Sequence, residues 1–135
     1  MGKPRILLVE DNDDDVELAV EALGGVDSPY DIVIAKDGAQ ALQYLQGPME
    51  LPDLVLLDLK LPKVTGIEVL AEIRAHPQTR RLVVVVLTSS DHDTDLARCY
   101  DLGANSYVNK PLDFGKFRDT IGTLGHYWLQ INRTA

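Results

Sequence analysis

The stretch that decides the fold class is Ile6-Leu7-Leu8-Val9-Glu10-Asp11, an apolar run that ends in two carboxylates. The pattern recurs three times, with a polar residue after each run: Asp58 after 54–57, Thr88 after 82–87 and Lys110 after 106–109. Short runs of this kind are typical of buried parallel strands. In an open parallel sheet, functional side chains gather at the carboxyl ends of the strands. We therefore expect carboxylates, a hydroxyl and an ammonium to converge at one edge, a set that suits a divalent cation and a phosphoryl group.

The composition is that of an ordinary globular chain with an acidic balance. The 135 residues are 45% hydrophobic and 25% charged, with a net charge of −8. These values predict one domain over 1–135 with a real core and no output domain. The negative charge argues against binding to nucleic acid or to an anionic membrane. Cys99 is the single cysteine, and no leader or spanning run is visible, so a cytoplasmic protein is the default expectation.

Strand runs alternate with helical periodicity along the whole chain. Helices are predicted to begin near Asp13, Ala39, Gly66, Asp93 and Asp113, and strands to cover 6–9, 30–35, 54–57, 82–87 and 105–108. Strict alternation is the signature of βαβ units, so the fold class is α/β with a doubly wound, five-stranded parallel sheet. The second strand is the least apolar and is therefore expected at an edge.

Five carboxylates lie within six residues after the first strand: Glu10, Asp11, Asp13, Asp14 and Asp15. The last three fit an ordinary helix start, where negative charge favours the helix dipole and Asp13 would be the N-cap. Glu10 and Asp11 precede the helix, and a hard cation would relieve their repulsion. We therefore predict Asp11 as a metal ligand and Glu10 as a water-mediated one.

The other three strand-end residues each have an ordinary alternative. Asp58 could cap a turn, but its apolar flanks make a carboxylate costly unless it is paired or coordinated. Lys110 can supply that pairing, and a cis bond to Pro111 would aim its ammonium inward; a solvated surface lysine is the alternative. Thr88 could merely end a strand, although its hydroxyl can donate to a phosphoryl oxygen. Tyr107, taken alone, fits a half-buried strand aromatic.

Taken together, these residues resemble the receiver domains of bacterial two-component response regulators. The matching segments occur in the family's order along nearly the whole chain: 8–12, 57–62, Gly66, 87–89, 103–104 and 107–111. The resemblance implies a flavodoxin-like receiver fold with strand order 2-1-3-4-5. In that order the first and third strands are neighbours, which would bring Asp11 and Asp58 together.

The resemblance also implies a function. Asp58 would be the phosphoacceptor for a sensor histidine kinase, and Lys110 would neutralise the charge of the phosphoryl group. Mg²⁺ would be the cofactor, and its ligands would be Glu10, Asp11, Asp58 and the backbone carbonyl of Lys60. Such a chain is a phosphoacceptor signalling protein rather than an enzyme, although it would catalyse its own phosphotransfer and slow dephosphorylation.

Two further residues are implied to act as a switch. Thr88 would move toward the phosphate and Tyr107 would turn inward behind it, which would remodel the face made by the fourth helix, fifth strand and fifth helix. Many receivers carry Asp where this chain has Thr65. In the family, the positions of Lys60 and Ser90 tune the loss of the phosphoryl group.

A closer resemblance concerns the segments 88–90 and 99–107 and the late aromatic tail. They are similar to single-domain regulators that partner bacterial and cyanobacterial phytochrome kinases. A phytochrome would then be the kinase partner, and red or far-red light the upstream signal.

The last helix carries an apolar stripe made of Phe114, Phe117, Ile121, Leu124, Trp128 and Ile131. Tyr127 and Leu129 fall off this stripe, so the final turns are apolar on more than one side. Large apolar groups left in water favour association. We therefore expect a homodimer, with a partner surface that includes Phe117, Tyr127, Trp128 and Leu129.

Two proteins of other functional classes share parts of this pattern, but the sequence argues against both. A haloacid-dehalogenase-type phosphatase needs a second Asp two residues after its nucleophile, where Lys60 stands. A flavodoxin must cradle phosphate in its first loop, where Asp13 and its acidic neighbours would repel it. Two alternatives lie within the receiver family: a phosphorylation-independent binding module and a phosphorelay intermediate.

Overall fold

The computed structural model describes residues 2–47, 50–89 and 92–134. The strands are β1 (Arg5–Val9), β2 (Asp31–Ala35), β3 (Leu54–Leu57), β4 (Val84–Thr88) and β5 (Ser106–Asn109). The helices are α1 (Asp13–Ala22), α2 (Gly38–Gln46), α3 (Gly66–Ala75), α4 (Asp93–Asp101) and α5 (Phe114–His126). A short 3₁₀ turn (Gly25–Asp27) follows α1, and a π-helical turn (Tyr127–Ile131) follows α5. None of the described helices is both long and apolar enough to cross a bilayer.

The strands form one parallel sheet in the order β2-β1-β3-β4-β5, which confirms the predicted fold class and topology. Val9 at the end of β1 lies opposite Ala35 of β2 and Leu57 of β3. Thr88 at the end of β4 lies opposite Asn109 of β5. All five strands therefore end at the same edge of the sheet. The predicted position of the second strand at an edge is also confirmed.

The core has two layers because alternate strand residues face opposite sides of the sheet. On one face, α2, α3 and α4 cover the strands, and buried residues such as Leu7, Leu57 and Ile73 belong to that layer. On the other face, α1 and α5 cover the strands, and Leu8 and Ile121 belong to that layer. Helices on both faces are what makes the sheet doubly wound.

The predicted N-cap of α1 is wrong by one residue. The side chain of Asn12, not Asp13, accepts a hydrogen bond from the backbone N–H of Asp15, at 3.0 Å. Asn12 has extended backbone angles, whereas Asp13 is already helical. The carboxylate of Asp13 therefore lies in the first turn, where it still favours the helix dipole.

The predicted apolar stripe on the last helix is correct only in its middle. Phe117 and Ile121 are buried, whereas Phe114 and Ile131 are 73% and 57% exposed. The π-helical turn after His126 explains why Ile131 is exposed, because the wider repeat of that turn rotates Ile131 away from the stripe. Phe117 packs inside the domain at 4% exposure, so it is not available for the partner surface on which it was expected. Tyr127 remains 44% exposed, and Trp128 and Leu129 are half-buried.

Candidate functional site

Three carboxylates lie together where β1 and β3 end. Oxygen atoms of Glu10, Asp11 and Asp58 all lie within 4.8 Å of one another. The pairing of β1 with β3 produces this arrangement. The backbone N–H of Asp58 extends the pairing by one residue, because it donates to the carbonyl of Val9 at 3.1 Å. The side chains of Glu10 and Asp58 are about nine-tenths or more buried, whereas Asp11 is exposed. The cluster is therefore accessible from one side.

Lys110 brings an ammonium group into this cluster. Its Nζ donates to Glu10 Oε1 at 2.5 Å, to Asp58 Oδ2 at 3.0 Å and to Asp15 Oδ2 at 3.0 Å. Its backbone N–H donates to the carbonyl of Thr88 at 2.8 Å, so the pairing of β4 with β5 places it. The bond between Lys110 and Pro111 is not cis, so the conditional explanation through a cis proline does not apply to the direction of the ammonium.

The crowding of charge raises the pKa of both Glu10 and Lys110, which favours the neutral carboxyl group and the charged ammonium. Burial raises the pKa of Glu10 to about 7, with the charge of Asp58 acting in the same direction and the hydrogen bond from Lys110 opposing it. Burial alone would lower the pKa of Lys110, but the hydrogen bond to Glu10 and the charge of Asp58 outweigh it and raise that pKa. The ammonium therefore stays charged, and the carboxylates around it remain in excess.

The donor set fits a hard divalent cation. Carboxylate oxygens are the ligands that Mg²⁺ and similar ions prefer, and a cation would offset the negative charge that Lys110 alone cannot balance. The open side at Asp11 leaves room for water and for a phosphoryl oxygen. Glu10, Asp11 and Asp58 are thus the acidic cluster available for a divalent metal.

The loop after β3 fixes the carboxylate of Asp58. The backbone N–H of Lys60 donates to Asp58 Oδ1 at 3.2 Å, while Lys110 binds Oδ2. Gly66 lets α3 start close behind this loop, since a Cβ at Gly66 would lie 2.6 Å from the Cα of Leu59 and would strike the carbonyl of Asp58. The side chain of Lys60 is exposed.

Thr88 and Tyr107 occupy neighbouring strands next to the cluster. Thr88 is fully buried at the end of β4. Tyr107 is half-buried on β5, opposite Val86, and its backbone N–H donates to the hydroxyl of Tyr100 on α4 at 3.1 Å. The two residues therefore connect the strand ends with α4. Ser90, which the sequence singled out, lies outside the described residues.

Two features of the site were not predicted from the sequence. Asp15 bonds to Lys110, although it was interpreted only as part of a helix start, a reading that its place in the first turn of α1 supports equally well. Leu112 and Phe114 line the same crevice, which encloses about 530 Å³, and they are 97% and 73% exposed. Leu112 lies in a loop, where no periodicity applies, and Phe114 is the first residue of α5, where the helical spacing predicted burial instead.

Comparisons with known proteins agree with this fold and site. The family model described as "Response regulator receiver domain" matches residues 6–122. The chain is 44% identical over 133 residues to the probable methanogenesis regulatory protein FilR2 of Methanothrix harundinacea, covering 96% of this chain and 86% of that protein. It is 38% identical over 130 residues to the response regulator Rcp1 of Synechocystis, covering 93% and 88%.

Solved structures give the same result at the level of the fold. The phosphorylated cyanobacterial phytochrome response regulator RcpA matches with a TM-score of 0.93 and 37% identity, over 98% of this chain and 99% of that one. The Mn²⁺-bound form of Rcp1 matches with a TM-score of 0.91 and 36% identity, over the same shares. The chain belongs to the response regulator receiver domain family and is a signalling protein of two-component systems. Within that family it is homologous to the response regulator Rcp1 and to the cyanobacterial phytochrome response regulator RcpA.

Proposed function

We propose that Asp58 accepts a phosphoryl group from a sensor histidine kinase in a Mg²⁺-dependent reaction. One observation carries this proposal: the buried carboxylate of Asp58 belongs to the acidic cluster and also accepts a hydrogen bond from the ammonium of Lys110, 3.0 Å away. A carboxylate oxygen attacks phosphorus, the P–N bond of the phosphohistidine breaks, and an acyl phosphate forms. Positioning and charge stabilisation are most of what such a transfer requires.

The other site residues have distinct parts in this proposal. Glu10, Asp11, Asp58 and the backbone carbonyl of Lys60 hold Mg²⁺, which when bound offsets the charge on the transferring group. Lys110 binds a phosphoryl oxygen, and the Thr88 hydroxyl donates to another. The same groups serve the slow hydrolysis that removes the phosphoryl group.

The switch is proposed to run from Thr88 through Tyr107 to the face formed by α4, β5 and α5. The pairing of β4 with β5 and the hydrogen bond between Tyr107 and Tyr100 support this path. A phosphoryl group adds about −1.5 to −2 charges at one point, which is enough to draw a nearby hydroxyl toward it. The movement of Thr88 leaves space that the ring of Tyr107 fills.

The proposed kinase partner is a phytochrome, which the similarity to the phytochrome response regulator RcpA supports. The donor histidine has to reach Asp58 through the open side of the crevice. The apolar side chains of Leu112 and Phe114 project from that rim, and exposed apolar groups there suit a protein surface better than a small phosphoryl donor. Leu112→Ala combined with Phe114→Ala should slow phosphotransfer from the kinase more than phosphorylation by acetyl phosphate.

The remaining parts of the proposal concern the whole chain. Residues 1–135 act as one receiver domain in the cytoplasm, and neither nucleic acid nor a membrane is a partner. The acidic net charge of −8 supports the absence of polyanionic partners. A homodimer forms through the C-terminal turns, and Tyr127, Trp128 and Leu129 contribute to its surface.

Incubation with labelled acetyl phosphate and Mg²⁺ tests the central step. The wild-type chain should take up label, and Asp58→Asn should not. Asp14→Asn is the matched control, since Asp14 lies in the same acidic segment but outside the metal cluster. Label that persists in Asp58→Asn, or uptake that EDTA does not reduce, would contradict the proposal. A chain that takes no label would instead fit a phosphorylation-independent binding module.

A further inference from the structure

A fourth carboxylate reaches the crevice from α1. Asp15 Oδ2 accepts a hydrogen bond from Lys110 Nζ at 3.0 Å, and its side chain is 27% exposed. Its backbone N–H is held by the side chain of Asn12, the N-cap of α1. Asp15 is therefore fixed at the helix start with its carboxylate directed at the ammonium, unlike the exposed neighbours Asp13 and Asp14.

The three carboxylates around Lys110 are not equivalent. Glu10 and Asp58 belong to the acidic cluster that can hold a divalent cation, whereas Asp15 does not. An ammonium has three N–H donors, and in this structure one goes to each of these carboxylates. A cation at the cluster would compete with Lys110 for Glu10 and Asp58, but it would leave the bond to Asp15 in place.

An incoming phosphoryl group must then share Lys110 with Asp15. We propose that Asp15 is a positioning residue. Its carboxylate holds the Lys110 ammonium and thereby weakens the binding of the phosphoryl group by Lys110. The inference rests on the proposed function of Asp58 and Lys110. Removal of the Asp15 charge frees one donor of the ammonium and removes a negative charge close to a dianionic group. The bound phosphoryl group, or a mimic of it, should then be held more tightly.

Beryllofluoride, a mimic of the phosphoryl group, tests this inference by calorimetric titration at saturating Mg²⁺. Asp15→Asn, which keeps the shape but removes the charge, should bind the mimic roughly fivefold more tightly than the wild type, as expected from the loss of one partly exposed ion pair. Asp15→Glu restores the charge and should return the affinity toward the wild-type value. Asp14→Asn removes the same charge one residue away and should leave the affinity unchanged.

A gain of affinity separates positioning from a merely structural role, because a folding defect would weaken binding. Unchanged or weaker binding by Asp15→Asn, with a wild-type circular dichroism spectrum, would overturn the inference. So would an equal gain in Asp14→Asn, which would indicate a long-range effect of net charge. Failure of the wild type itself to bind the mimic would instead contradict the proposed function of Asp58.

Discussion

Carboxylates outnumber the buried ammonium group in the crevice, where Glu10, Asp11, Asp15 and Asp58 lie around Lys110. Two of these carboxylates are almost fully buried, which makes their mutual repulsion poorly screened. Burial and this repulsion together account for the raised pKa of Glu10. Such a site lowers the free energy of unfolding of the metal-free protein, and a bound cation raises it again.

Asp58→Asn should therefore stabilise the metal-free protein. The substitution removes a buried charge, while Lys110 keeps Glu10 and Asp15 as partners, so the free energy of unfolding in EDTA should rise by about 1 kcal/mol. Added Mg²⁺ should stabilise the wild type and have less effect on the variant, because a ligand stabilises only the state that binds it. Urea unfolding with EDTA and with Mg²⁺ measures both effects. A variant less stable than the wild type in EDTA would contradict this view of the site.

Cys99 should be unreactive in the native protein. Its side chain is fully buried, and burial, assisted by the charge of Asp95, raises the pKa of the thiol to about 11. The thiolate is the reactive form of cysteine. In the folded protein at pH 8 the Cys99 thiol is neither ionised nor accessible to a reagent. Labelling with a chromogenic disulfide should proceed only on addition of urea, with Cys99→Ser as the blank. Rapid labelling of the folded protein would show that α4 opens readily.

Among the elements, α5 and α3 contain glycines with opposite roles. Gly122 has room for a side chain, because a Cβ there would make only an ordinary van der Waals contact, 3.5 Å from the carbonyl oxygen of Ala22. Gly122→Ala should raise the free energy of unfolding by about 1 kcal/mol through helix propensity. Gly66→Ala should lower it by more than that amount, since the added Cβ would strike the backbone behind Asp58. Thermal unfolding measures both variants, and equal shifts for the two would refute the distinction.

Strands and helices could be predicted from the sequence where they bury a regular apolar face. The strands were visible because β1, β3 and β4 lie between two helical layers and are apolar on both sides. The helix stripes were visible where a helix packs along the sheet, as at Phe117 and Ile121. The stripe failed at Ile131, at the end of a π-helical turn that changes the repeat and that no residue type in the sequence indicates.

The same reasoning explains which site residues the sequence could reveal. Glu10, Asp11, Asp58 and Lys110 follow strands directly, so the topology of a parallel sheet was enough to bring them together. Asp15 lies on a helix and reaches the crevice only through the rotation of α1 about its own axis. A residue of that kind has an equally good explanation as a helix-start acid, and coordinates were needed to separate the two.

For the whole molecule, an apolar surface remains at the C-terminal end. Tyr127 and Ile131 are 44% and 57% exposed, and Trp128 packs edge-on against Tyr127 with ring centroids 5.0 Å apart. If this surface forms the proposed homodimer, Tyr127→Glu combined with Ile131→Glu should shift the protein to monomers in sedimentation velocity. Leu112→Glu combined with Phe114→Glu is the control, because it places the same two charges on exposed apolar residues at the crevice. A wild type that is monomeric both with and without phosphorylation would rule out the dimer.

The central claim, that Asp58 carries the phosphoryl group, is tested most directly by chemical trapping. Borohydride reduces an acyl phosphate to an alcohol, so an aspartate that carried the group becomes homoserine, which peptide mass spectrometry locates in the sequence. After incubation with the kinase or acetyl phosphate and Mg²⁺, the homoserine should appear at position 58 and nowhere else. Its appearance at Asp11 or another carboxylate, or its absence from a chain that has taken up label, would contradict the account.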